Sequence, residues 1–351
     1  MTYEKQKVRN SLALLLMIVC LGLMALIALR AGSYDITISE LLSAFFGKTS
    51  SDSATLVIRN MRLPRVLTAI AGGMGLGVSG CVLQAVLRNP LASASTIGIS
   101  QGASFGACFA IIILGASTSK TAVLNTFLSG RALVTGCAFL FSLAVAIAVL
   151  LLSRFRSIEP QSMILTGIAF SLMFQGGTTL LQFFASETEL STFVFWTFGD
   201  LSLTDYKDIS IMFIIVALSL LFFWLNRWNY NALETGENNA ISVGVSVSSL
   251  QVVSMLICSL VTAVIIANLG TISFIGLAAP HIARGLTGSN HSFTLPGSAL
   301  AGALLLLLGD LISRTIISPV VLPIGAITAF LGGPLFVYLI LKGGKQRATS
   351  R

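Results

Sequence analysis

Residues 62–106 read RLPRVLTAIAGGMGLGVSGCVLQAVLRNPLASASTIGISQGASFG. The stretch opens with Arg62 and Arg65 about Pro64, runs 22 uncharged residues from Val66 to Leu87, breaks at Arg88-Asn89-Pro90, and resumes as a Gly- and Ser-rich apolar run. An uncharged run of that length matches the roughly 20 residues a helix needs to cross the hydrocarbon core of a membrane. Pro64 suits the first turn, where its missing N–H has no partner to lose. Arg62 and Arg65, three apart, are therefore expected on one face at the mouth of a membrane helix. At the other end, irregular backbone at Asn89-Pro90 survives only if it is buried in protein or lines a polar cavity. That is the signature of a gate or channel.

The rest of the chain agrees with a membrane setting. Of its 351 residues 55% are hydrophobic and 10% charged, against about 25% charged in soluble proteins. Charges divide it into uncharged runs at 11–29, 66–87, 89–119, 132–153, 160–186, 209–226, 238–283, 285–309 and 315–341. The run 238–283 holds 46 residues, enough for two spans with a break at Asn268 to Gly270. The expectation is an all-α integral membrane protein of about ten transmembrane helices, one transmembrane domain over 1–351. An even number puts both termini on one side. With that side inside, the inner segments hold twelve Lys and Arg against four acids, and the outer ones nine against nine. The surplus of Lys and Arg marks the cytoplasmic side, so the net charge of +8 reads as orientation and not as nucleic-acid binding. The first run has the basic start of a signal peptide, but its apolar core is 19 residues with no clean small-residue cleavage site, so a retained helix is expected.

Several features carry no chemistry. Cys20, Cys81, Cys108, Cys137 and Cys258 lie in apolar runs without paired spacing and read as small buried hydrophobes. His281 and His291 have no carboxylate or thiolate close by, so no metal or cofactor site is expected. Gly47-Lys48-Thr49 resembles the end of a phosphate loop, but Leu42 stands where that motif needs glycine. Any ATP-driven work must then come from a partner. The outer stretch 33–61 contains ELLSAFF behind a candidate N-cap, Ser39, an amphipathic piece suited to lying flat on the surface. Gly73 with Gly77, and Gly98 with Gly102 and Gly106, repeat at i, i+4, a spacing that lets membrane helices pack closely.

Polar residues concentrate in the fifth span, PQSMILTGIAFSLMFQGGTTLLQFF, with Ser162, Thr166 and Gln175 among them. Such groups are costly in a membrane unless they face protein or water, and either a path lining or interhelical hydrogen bonds accounts for them. Glu187, Glu189, Asp200, Asp205 and Asp208 form an acidic outer connection, read as a solvated loop with Trp196 as an interfacial anchor. The eighth span, about 272–286, is short and expected to be interrupted by Gly276 and Pro280. With the Pro90 break it makes a pair of interrupted segments, which points to repeats with a path between them. Asp310 and Arg314, at i, i+4, are expected to form a partly buried salt bridge at the outer rim.

Four stretches carry a resemblance: RLPR through RNPLA to IGISQGASFGA, LETGENNAISVGV from Leu233, GTISFIGLAAPHIARGLTG from Gly270, and LPIGAITAFLGGPLF from Leu322. Together they resemble the FecCD (BtuC-like) permeases, membrane subunits of type II ABC importers for ferric siderophores, haem and cobalamin. The resemblance implies a second permease chain, homodimeric or related, two ABC ATPase subunits and an extracytoplasmic solute-binding protein in the cytoplasmic (inner) membrane. It places ATPase coupling in the loop 227–246, on Leu233, Glu234, Gly236, Glu237, Ala240 and Gly244. Asn238 and Ile241 depart from the family pattern there. It places binding-protein docking on Arg62, Arg65 and Arg314, for which simple snorkelling anchors are the alternative. It assigns the cytoplasmic gate and path to Asn89, Pro90, Leu91, Ser162, Thr166 and Gln175. The expected cargo is a ferric siderophore, with haem or cobalamin as alternatives. An ion-driven secondary transporter would need mid-membrane titratable groups, and only Asp310 is flanked by apolar runs. An enzyme would need a nucleophile–base or metal motif, and no HExxH occurs.

Overall fold

The computed structural model describes residues 3–32, 52–116, 130–155 and 160–348. Among these residues every regular element is helical. In chain order they are α1 (Tyr3–Arg30), α2 (Asp52–Val57), α3 (Leu63–Val86), α4 (Ile99–Ile112), α5 (Gly130–Phe155), α6 (Pro160–Phe183), α7 (Glu187–Phe198), α8 (Tyr206–Leu225), α9 (Arg227–Glu234), α10 (Glu237–Ser242), α11 (Val247–Leu269), α12 (Ile275–Thr287), α13 (His291–Thr315) and α14 (Ile324–Ala348). A π-helical turn, Ile58–Arg62, joins α2 to α3. Seven of the helices are long and apolar enough to cross a membrane, and α4 and the Ile324–Pro334 part of α14 are shorter apolar helices. Each expected span has its helix. The piece ELLSAFF, Ser39 and Gly47-Lys48-Thr49 lie outside the described residues.

The chain divides into two compact units, one of residues 1–78, 201–213 and 272–351, the other of 79–200 and 214–271. In the first, α1, α12 and α14 pack on α13. Lipid tails are as apolar as leucine, so membrane helices are held by close packing and not by exclusion from water. Accordingly a methyl group at Gly73 of α3 would overlap the carbonyl of Gly302 in α13, and one at Gly77 would overlap that of Ser298. The Asn10 amide donates to the carbonyl of Thr287 at 2.7 Å. This bond ties α1 to α12 in a turn that precedes the first uncharged run.

In the second unit α4 is the hub, packed on α5, α6, α7 and α11. Gly102 and Gly106 rest on the backbone of α5 at Phe141 and Cys137, so the small-residue ladder is a packing device. Phe105 meets Phe141 and Phe174 edge-on, with ring centroids 5.1 and 5.2 Å apart, an arrangement that aligns ring edges with ring faces.

Three expectations are corrected. Pro280 lies inside α12 without interrupting it, because a proline in the second turn removes a single bond, to the Gly276 carbonyl. The break precedes the helix, where Gly270 and Phe274 adopt φ of +77° and +66°. The acidic connection is not a loop either, since Glu187–Phe198 is helical with a capping box. There Ser186 accepts from the N–H of Glu189, and the Glu189 carboxylate accepts from the N–H of Ser186. Trp196 is no interfacial anchor, for it packs against Ala103, Ala107, Ala138 and Ile266.

Candidate functional site

Beyond Val86 the chain turns through Arg88, whose φ is +46°. The Asn89 side-chain oxygen accepts from the N–H of Leu91 at 2.8 Å, and its carbonyl accepts from Ala92 at 3.0 Å. This is the local turn asparagine favours. Thr96 donates its hydroxyl to the Ser93 carbonyl at 2.8 Å and accepts from the Ser93 N–H at 2.9 Å. The irregular backbone thus satisfies its own polar groups, as a membrane setting requires. Its far end is sealed on α6: a methyl at Gly167 would lie 2.5 Å from the Cα of Ile97. Pro90 and Leu91, at the tip, are exposed, Leu91 by 48%.

On α6, Ser162 and Thr166 are half-buried and Gln175 is exposed. Ser171, Thr178 and Thr179 donate to the carbonyls four residues back, at 2.8, 2.8 and 3.1 Å. Those hydroxyls are satisfied within the helix, so residue count overstates its free polarity. Leu165, Leu172 and Leu180 on the same helix are well exposed.

The connection 227–246 folds as two short helices. Tyr230, Leu233 and Ala240 are fully buried. The Tyr230 hydroxyl shares a 2.8 Å hydrogen bond with Ser254 of α11, and burial pushes its pKa up, keeping it protonated. Gly236, between α9 and α10, has φ +123° and Gly244, after α10, φ +89°, backbone that favours glycine. Glu234 is exposed and Glu237 half-buried. Ile241 and Val243 stand 60% and 71% exposed. Beside them a groove of about 1100 Å³ is lined by Ile241, Gly244, Val247, Leu150 and Leu256.

Gln251, in the first turns of α11, is 2% exposed. Its amide donates to the carbonyl of Val86 at 3.2 Å and lies 3.5 Å from the Glu237 carboxylate. One side chain thereby joins the short-helix loop to the last turn of α3, three residues before Asn89. Nothing in local sequence marks this residue, because its partners lie 165 and 14 positions away.

The three arginines form one cluster. Arg65 donates to Asp310 at 2.6 Å and Arg314 to the other oxygen of the same carboxylate at 3.0 Å. Asp310 is fully buried. Arg62 donates to the carbonyls of Leu29 and Arg30 at 2.9 and 2.6 Å, and Arg314 to those of Ala28 and Ala31, both at 3.0 Å. The carbonyls at a helix C-terminus lack intrahelical partners and carry partial negative charge; here two guanidiniums cap the end of α1. The expected Asp310–Arg314 bridge is present. The bond to Arg65, 245 residues distant, has no sequence signal.

A further latch lies at α7. Thr271 donates to the Thr197 carbonyl at 2.6 Å, and the N–H of Asp200 to the Leu269 carbonyl at 2.9 Å. The Ser186-x-x-Glu189 spacing is a readable helix start and was the available signal for it. Among the described residues no three of His, Cys, Asp and Glu gather as metal ligands.

A model of the FecCD transport family matches residues 16–342. An ABC transporter permease protein of Methanocaldococcus jannaschii is 45% identical over 98% of this chain and 97% of its own. The hemin transport system permease protein of Yersinia pestis is 31% identical over 97% and 99%. A siderophore transport system permease protein of Bacillus subtilis is 33% identical over 94% and 95%. Among solved structures, a metal-chelate type ABC transporter in an inward-facing conformation aligns with TM-score 0.81 and 30% identity, over 94% of this chain and 98% of that one.

Proposed function

The chain belongs to the FecCD transport family, and from that membership we propose that it imports a ferric siderophore across the cytoplasmic membrane. It is a multi-pass membrane protein and the permease subunit of an ABC importer, not an enzyme. The siderophore cargo is supported by the metal-chelate transporter structure and the siderophore permease relative. The hemin permease relative makes haem the second reading.

In this reading two such chains enclose a path, two ABC ATPases seat below, and a solute-binding protein delivers cargo above, with both termini cytoplasmic. The α9–α10 loop is the ATPase seat. The observation that carries this is its division of labour: Leu233 and Ala240 are fully buried, while Ile241 and Val243 are 60% and 71% exposed. Glu234 and Glu237 flank the seat, and Gly236 and Gly244 set its turns. When the ATPases close on nucleotide, the loop moves, and Gln251 carries that motion to α3 and the Asn89-Pro90-Leu91 gate. Ser162, Thr166 and Gln175 line a path without fixed charge, suited to a bulky polar cargo that must not bind tightly. Arg62, Arg65 and Arg314 form the docking point for the solute-binding protein at the outer face, their guanidiniums fixed by Asp310 and by the carbonyls at the end of α1.

The test is radiolabelled iron uptake by cells with and without this chain, with iron given as a panel of siderophores and as haem, beside labelled cobalamin. Loss of uptake for one ferric siderophore is expected. Loss confined to haem or cobalamin would overturn the cargo, and uptake that survives ATP depletion but collapses with an uncoupler would overturn the ATP-driven mechanism.

A further inference from the structure

At the corner where α8 passes into α9, the guanidinium carbon of Arg227 lies 3.8 Å from the ring centroid of Trp224 and 5.4 Å from that of Trp228. Arg227 also donates to the Trp224 carbonyl at 2.8 Å. A cation over an indole face is held by the ring quadrupole, so the fork is fixed in orientation. Among the described residues, that carbonyl is its hydrogen-bond partner, which leaves most of its five N–H donors for an acceptor outside the chain. Both indoles are uncovered, Trp224 by 42% and Trp228 by 58%.

The surroundings decide what kind of acceptor this is. Directly before the corner, Leu218, Leu221 and Leu225 are 62%, 55% and 61% exposed, on a helix long and apolar enough to cross a membrane. Directly after it, α9 turns polar outward and buries Tyr230 and Leu233. Exposed leucines end and exposed tryptophans begin where hydrocarbon gives way to headgroups, the level at which indoles settle. The Lys and Arg count puts the corner on the basic side of the chain, which is the side of the anionic leaflet. From this geometry we infer that Trp224, Arg227 and Trp228 form a binding surface for the phosphate headgroup of an anionic phospholipid. The bound lipid anchors the root of the α9–α10 loop from outside, while Tyr230 and Leu233 anchor it from inside; this consequence rests on the ATPase-seat reading.

The chain has three tryptophans, so Trp196→Phe leaves the two corner indoles as reporters. The full chain is placed in phosphatidylcholine vesicles containing a small fraction of lipid brominated near the headgroup end of its acyl chains, either phosphatidylglycerol or phosphatidylcholine. Brominated phosphatidylglycerol should quench at about fivefold lower mole fraction, the ratio expected of one basic residue at an anionic surface. Arg227→Gln should bring that ratio close to one while quenching persists. If Trp196→Phe fails to fold, the wild-type signal minus that of Trp224→Phe/Trp228→Phe supplies the same reading. Equal quenching by both lipids, or a ratio kept in Arg227→Gln, overturns the proposal. So does protection of the indoles by a second copy, or by the ATPase when it is added. The readout needs neither ATP nor cargo, so its failure is separate from a failure of the transport assignment.

Discussion

The α9–α10 loop and the arginine cluster are both rich in the residues that membrane proteins find expensive, and they treat them oppositely. In the cluster the charges are turned inward. Asp310 is shared by Arg65 and Arg314, and Arg62 and Arg314 cap the carbonyls at the end of α1. In the loop the inward face is apolar and tightly anchored, while Ile241 and Val243 are left uncovered. A region that satisfies its own groups holds the fold. A region that leaves apolar side chains open is waiting for a partner. The cluster should therefore respond to mutation in stability first, and the loop in transport first.

The largest expected effect is Asp310→Ala. It removes the buried carboxylate that Arg65 and Arg314 share, and breaking a buried pair this way costs about 3–5 kcal/mol. Thermal unfolding in detergent should show the loss, and an unchanged midpoint would mean the cluster holds nothing together. Next is Leu233→Asp, which forces a carboxylate into an apolar site. The cost falls on a short loop that can open locally, so the midpoint should drop by less than for Asp310→Ala while ATP-dependent uptake falls to background. Gly236→Ala is milder. At φ +123° an alanine costs on the order of 1–3 kcal/mol, and uptake should fall with little change in the amount of chain in the membrane. The smallest effect on stability belongs to Gln251→Leu, about 1 kcal/mol for the lost amide bonds. Its mark should be uncoupling, with ATP hydrolysed by the assembled complex but cargo not moved. Coupled transport at the wild-type ratio would remove Gln251 from the route between loop and gate.

The spans were legible because lipid imposes a length and a composition on any helix that crosses it. The short helices were less so. The α9–α10 pair is marked by Gly236 and Gly244, whereas α7 was hidden behind its acids until the Ser186–Glu189 box is weighed against them. The Asp310–Arg314 bridge is local and could be read from the i, i+4 spacing. The Arg65–Asp310 bond, the capping of α1 and the Gln251–Val86 contact join residues far apart in the chain, and only the folded backbone brings them together. The polar groups of α6 could not be sorted from sequence, because hydroxyls that bond their own helix, as those of Ser171, Thr178 and Thr179 do, look in sequence like hydroxyls facing a path.

The central claim is that the uncovered face of the α9–α10 loop receives the ATPase that drives import. It is tested most directly by radiolabelled ferric-siderophore uptake in cells whose only copy of this chain carries Ile241→Asp and Val243→Asp, with the amount of chain in the membrane measured alongside. Both side chains are surface-exposed, so the chain should reach the membrane at its normal level, and ATP-dependent uptake should be lost. Uptake at the wild-type rate from that chain would contradict the account.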